Sequence, residues 1–137
     1  KSNKKNGFSL VEIILAISIF SLSVMGLTGG LIYGGQSSII ASHRMQAVLL
    51  ANEGIEASQN IASGDFSNLV NGSFGLTISN NSYAFNGTSD IWDIYQRQIT
   101  ISSIDINTKK VESSVSWSQS VLDGSQVVLI TYITNWK

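Results

Sequence analysis

The sequence predicts an α+β fold, one long N-terminal α-helix packed on a small antiparallel β-sheet, with the helix membrane-spanning in its first half and amphipathic in its second. Three observations predict it. Residues 13–42 contain no Asp, Glu, Lys, Arg or His, a longer run than the roughly 20 apolar residues that a membrane-crossing helix needs. Ala41, Met45, Val48, Leu49, Ile55 and Ala62 then recur at spacings of mostly three, four and their multiples, as on one face of a helix. Past Asp65 the chain turns to hydroxyl and β-branched residues punctuated by turn dipeptides. The expected divisions are a leader at 1–7, a transmembrane half of the helix at 8–35, an amphipathic half at 36–64 and a sheet domain at 65–137.

At the start, Lys1, Lys4 and Lys5 precede Gly7-Phe8-Ser9-Leu10-Val11-Glu12, and Glu12 is a lone carboxylate just inside the edge of the apolar run. A carboxylate in hydrocarbon costs about 2.5–3.5 kcal/mol on insertion scales, so it is kept where it has a partner or a task. Cleavage between Gly7 and Phe8 would create such a partner: the new Phe8 amine is a cation, and Glu12 of a neighbouring parallel copy can neutralise it. An ordinary secretory signal or signal anchor also has lysines before an apolar run. A secretory signal, however, needs a small-residue cleavage site after its apolar core, and residues 28–42 contain no Ala-x-Ala pattern. A plain anchor has no use for Glu12.

These residues resemble the processing signal of type IV pilins and type II secretion pseudopilins. Gly7, Phe8, Ser9, Leu10 and Glu12 match the small residue at the cut, the first mature residue, the hydroxyl, the Leu and the acidic fifth position. The resemblance implies that a membrane-embedded prepilin peptidase cuts after Gly7 and methylates the Phe8 amine, and that Phe8 and Glu12 guide subunit assembly. It further implies other pilin subunits, the peptidase, an assembly platform and the membrane as partners. The location implied is the cytoplasmic membrane as a single-pass protein, then a filament outside it serving adhesion, motility, secretion or DNA uptake.

Eight basic and nine acidic side chains give a net charge of −1, and setting aside the three leader lysines leaves five against nine, a balance of −4. No broad basic face for nucleic acid is expected. The chain has no Cys and no Pro; in this it departs from the many pilins with a C-terminal disulfide loop and a Pro in the helix. Gly26, Gly29, Gly30, Gly34 and Gly35 instead weaken the helix by about 1 kcal/mol each relative to Ala. They can serve local extension in a fibre or close helix packing in lipid.

The second half of the helix is expected to cover the sheet with Met45, Val48 and Leu49. His43, Arg44, Glu53 and Glu56 are expected on the polar side, the two glutamates available for a fibre contact. Residues 46–57 resemble the corresponding stretch of minor pilins. Ser63-Gly64-Asp65 reads as the stop, so a helix over 8–63 would measure about 84 Å. Strands are expected at 74–79, 95–106, 111–118 and 126–134, joined as a meander. The clearest alternation is Val111, Ser113, Val115 and Trp117 on one face. A slip at Ser102-Ser103 reads as a bulge, and Asp123-Gly124 as a turn.

No catalytic constellation is present: the sole His43 has neither Cys nor a serine motif beside it, so no enzyme and no cofactor are expected. Asp90 and Asp93, in a loop at 86–93, are a weak calcium signal, and a solvated loop is the favoured reading. Three sequons, at Asn71, Asn80 and Asn86, are explained by Asn and Ser in turns. Trp92, Trp117, Trp136, Tyr83, Tyr95 and Tyr132 are core or sheet cover, or an adhesive aromatic surface. The alternative function is a membrane-anchored binding module for a glycan, DNA or protein, with the helix only a tether.

Overall fold

The computed structural model describes residues 9–79, 81–119 and 122–135. Helix α1 (Leu10–Gly64) runs unbroken through the five glycines of residues 26–35 and stops at the expected Ser63-Gly64-Asp65 signal. Asp65 then caps a 3₁₀ turn at Phe66–Asn68, its side chain accepting from the Ser67 amide at 2.9 Å. Six strands follow: β1 (Gly72–Ser79), β2 (Ser82–Asn86), β3 (Asp90–Trp92), β4 (Tyr95–Ser103), β5 (Thr108–Gln119) and β6 (Leu122–Thr134). The fold is α+β, a long N-terminal helix and an antiparallel sheet. Contacts divide the chain into two compact units, one ending at Ala41 and one beginning at Ser42.

Within the second unit the sheet order is β2-β1-β4-β5-β6, so the expected meander is interrupted. Residues 72–74 of β1 pair with 99–101 of β4, and β3 takes the rest of that edge, Asp90–Trp92 against 95–97. The handover occurs at Gly75. A Cβ there would lie 2.5 Å from the Ser89 carbonyl carbon and 2.8 Å from the Asn86 carbonyl oxygen, so only glycine lets the β2–β3 connection cross so closely. Past that crossing, the Leu76 amide donates to Asp90 Oδ1 at 2.8 Å.

Two further expectations are corrected. β4 pairs with β5 in unbroken register from Tyr95↔Trp117 to Ser103↔Lys109. The slip at Ser102-Ser103 is therefore the end of the strand and not a bulge, and Ile104 and Ile106 lie exposed in the connection to β5. Asp123-Gly124 lies inside β6, because Gln119 already pairs with Leu122; the register shift falls between Trp117 and Gln119.

The core forms between the second half of α1 and one sheet face. Val111, Ser113, Val115 and Trp117 are all buried, as their alternation predicts. The helix face that meets them is only partly the predicted one: Val48, Ile55 and Ala62 are half-buried, the last two packed against the core. Met45 and Leu49 are exposed, and the buried positions are Ala47, Ala51, Gly54, Ala57 and Ser58. Small side chains bring the helix backbone close to the sheet: a Cβ on Gly54 would meet Ser113 Oγ at 2.5 Å. Two apolar clusters result, one of Ala47, Ala51, Tyr95, Val115 and Trp117, the other around Ala57, Leu69, Leu76, Ile99, Ile101 and Val111.

Candidate functional site

The N-terminal segment shows how a helix is prepared for a nonaqueous medium. Every described residue from Ser9 to Ser42 is exposed, including Phe20, Met25 and Leu31. By length and composition this helix can cross a membrane. The hydroxyls of Ser18, Ser21, Ser23 and Thr28 each donate to the carbonyl four residues earlier, at 2.8–2.9 Å. These four hydroxyls are thus met within the helix and ask nothing of their surroundings.

Glu12 sits in the first turn of α1, its amide donating to the Ser9 carbonyl at 3.0 Å. A carboxylate there is favoured by the positive end of the helix dipole. Its side chain is exposed, and among the described residues none pairs with it. Gly7 and Phe8, the other two residues singled out by sequence, lie outside the described residues.

The second unit carries a polar cluster that the sequence reading missed. Arg97, 7% exposed, sits between the two apolar clusters. Its Nε and Nη2 donate to the two carboxylate oxygens of Asp90 at 3.2 and 2.8 Å, and its Nη1 to Glu53 Oε2 at 2.8 Å and the Leu50 carbonyl at 3.1 Å. Burial alone would weaken the cation. The hydrogen bonds and charges of Asp90 and Glu53 more than offset this and hold its pKa above the ordinary guanidinium value. Glu53, expected to face solvent or another subunit, is therefore committed to Arg97, while Glu56 is exposed. Asp90, expected in a solvated loop, opens β3 and forks onto the same guanidinium. The available signal was phase: Arg97 occupies an inward position of the alternation Tyr95, Arg97, Ile99, Ile101.

His43 is also less free than expected. It is half-buried, and its Nδ1 lies 2.7 Å from the Tyr95 hydroxyl, which donates its single proton to Gln46 Oε1 at 2.7 Å. The hydroxyl then accepts from His43 Nδ1–H. Of the aromatic residues, Tyr95 and Trp117 are core, whereas Trp92 and Tyr132 are exposed; Trp136 lies outside the described residues. His43, Gln46 and Tyr95 are thus engaged in joining α1 to the sheet.

Two expectations follow for the full chain in denaturation experiments. Asp90→Ala should cost about 3 kcal/mol, because it leaves a buried guanidinium without its two-pronged partner. Glu53→Ala should cost less than about 1 kcal/mol, since 38% of that side chain is open to solvent. Equal costs would contradict the geometry. Burial, aided by the charge of Asp93, raises the Tyr95 phenol above its ordinary 10.0. Its contribution to stability is complete below pH 10 and is lost as pH rises through the raised value, so Tyr95→Phe should flatten the alkaline decline in stability.

Residues 2–28 match the family model described as the prokaryotic N-terminal methylation motif. No curated protein and no solved structure matches the chain. The match takes in residues 2–7, Phe8, Glu12 and the start of the apolar helix, so the chain carries the prepilin signature of type IV pilins and pseudopilins.

Proposed function

We propose that the protein is a structural filament subunit, cut after Gly7 by a prepilin peptidase, methylated on the Phe8 amine and assembled from the cytoplasmic membrane into a type IV pilus or a pseudopilus. One observation carries the reading: within the methylation motif, a single carboxylate, Glu12, stands at the head of a helix whose next thirty residues are uncharged and exposed. Residues 13–33 hold the precursor in lipid. On assembly those side chains leave lipid for the same segments of other copies, an exchange between two apolar media that costs little. The carboxylate is the element that discriminates. In a fibre core each Glu12 has a Phe8 amine of a neighbour to neutralise, which sets the axial register and rejects uncut precursors.

The exposed Met45 and Leu49 support the same reading, since on a mere tether they would face water. Glu12→Ala and Glu12→Val should insert and be cut normally yet be absent from sheared extracellular filaments, by immunoblot of both fractions. Wild-type incorporation of either variant would contradict the role given to Glu12.

A further inference from the structure

Strand β6 lies at one edge of the sheet, beside β5. The Asn135 amide donates to the Asn107 carbonyl at 2.7 Å, one step past the Thr108↔Thr134 pair. Backbone groups of an antiparallel ladder alternate between its two sides. Residues 127, 129, 131 and 133 therefore turn theirs to β5, and Gln126, Val128, Ile130, Tyr132 and Thr134 turn theirs outward. Among the described residues no strand pairs with those outward groups. The same five side chains lie on the sheet face away from α1, because Val127, Leu129 and Thr131 stand opposite the buried Val115, Ser113 and Val111. All five are exposed, Val128 by 40, Ile130 by 52 and Tyr132 by 63%. Sheet edges are commonly blunted by charge, by Pro or by a short strand. Residues 125–134 contain no Asp, Glu, Lys, Arg, Pro or Gly.

We propose that this edge is a docking site for the β6 edge of a second copy, the two strands pairing antiparallel about a two-fold axis at Ile130. Self-complementarity selects this occupant. From either end the outward positions run polar, apolar, apolar, apolar, polar, so Gln126 meets Thr134 of the second copy, Val128 meets its Tyr132, and Ile130 meets its own twin. A two-fold contact requires such symmetry. The five outward amides and carbonyls of each copy then all find partners, and the apolar stripe doubles in width. Charge agrees: Lys110 and Glu112, the β5 side chains opposite Tyr132 and Ile130, are joined at 3.0 Å and neutralise each other. The β2 edge of a second copy fits less well. The Leu76 amide turns to Asp90, so by the same alternation β2 turns only Tyr83 and Phe85 outward.

β6 and β4 run in the same sense, and the second half of α1 runs along β4, with Gln46 at Tyr95 and Glu53 at Arg97. A two-fold axis through the sheet therefore sets residues 42–64 of the two copies antiparallel. Copies side by side in one filament run parallel, so the contact joins subunits of two filaments that lie in opposite senses. That last step rests on the filament reading above, whereas the contact itself rests on the fold.

The chain has no Cys, so a single substitution gives the full chain one thiol. In detergent with a mild oxidant, Ile130→Cys should form a disulfide-linked dimer, since residues facing each other in such a pair have Cα atoms about 5.5 Å apart, within disulfide reach. Val128→Cys alone should not, because its twin lies four residues, about 14 Å, along the strand. Val128→Cys mixed with Tyr132→Cys should give the mixed dimer. Adding Ile130→Lys to both members of that mixture should cut the link about tenfold by setting two ammonium groups face to face, with circular dichroism confirming the fold. Ile130→Cys that stays monomeric would overturn the proposal. So would Val128→Cys that links as readily alone as with Tyr132→Cys, which marks contact through another surface. By electron microscopy of sheared material, wild-type filaments should lie in side-by-side bundles and those of Ile130→Lys should lie singly. Single wild-type filaments, or bundles unchanged by the substitution, would overturn the joining of filaments. Absence of filaments from the wild type would overturn the filament reading and that joining with it, but not the cross-linked contact.

Discussion

A guanidinium placed against a sheet inside a small core is tolerable only when its hydrogens are met, and Arg97 meets them by drawing in groups from two other elements. α1 supplies the Leu50 carbonyl and Glu53, and β3 supplies Asp90. Asp90 in turn holds the first β1 amide past the Gly75 crossing, that of Leu76. A slide of the helix by one turn would break two of these contacts at once. The apolar clusters on either side are built largely of Ala against Val and Ile, which fix closeness but not register; Arg97 supplies the register. The same layer contains Gly54 and Ser113, which between them leave no room for a larger side chain.

Because this sheet unit holds its own core, the helix ahead of it is released from that duty. The buried core of the second unit begins at Ala47, and no side chain between Ser9 and Ser42 is buried. Such a segment is not stabilised by its own chain, and its side chains depend on the medium, first lipid and then, in the proposed fibre, other copies. That requirement explains why the segment is uniform. Hydroxyls bonded to their own helix carbonyls are compatible with both media, and a charge is compatible with neither unless its complement travels with it. Glu12 is the one exception, and cleavage at Gly7-Phe8 is the event that would supply its complement.

The architecture was legible because its signals are periodic or categorical. An uncharged run, a stop at Ser63-Gly64-Asp65, and the Val111-to-Trp117 alternation survive any detail of packing. Met45 and Leu49 do not mark the buried face, because a helix lying close to a sheet buries Ala, Gly and Ser fully and keeps larger residues such as Leu50 and Ile55 at the flanks of the contact. β2 and β3 are short and lack clean alternation, and the crossing at Gly75 that sets their order depends on contacts distant in sequence. Arg97 and its partners were hidden for a related reason: Glu53, Asp90 and Arg97 are each ordinary surface residues until the fold brings them together. The methylation motif over residues 2–28 was legible, and Glu12 could be placed at the head of the helix.

The most direct measurement is the N-terminal sequence and intact mass of the protein in native membranes and in sheared extracellular material, with and without the host's prepilin peptidase. A chain in the sheared fraction that begins at Phe8 and carries one added methyl group, and that disappears when the peptidase is removed, is the expected result. A chain that keeps residues 1–7, remains in the membrane and is indifferent to the peptidase would contradict the filament subunit and leave Glu12 without its complement.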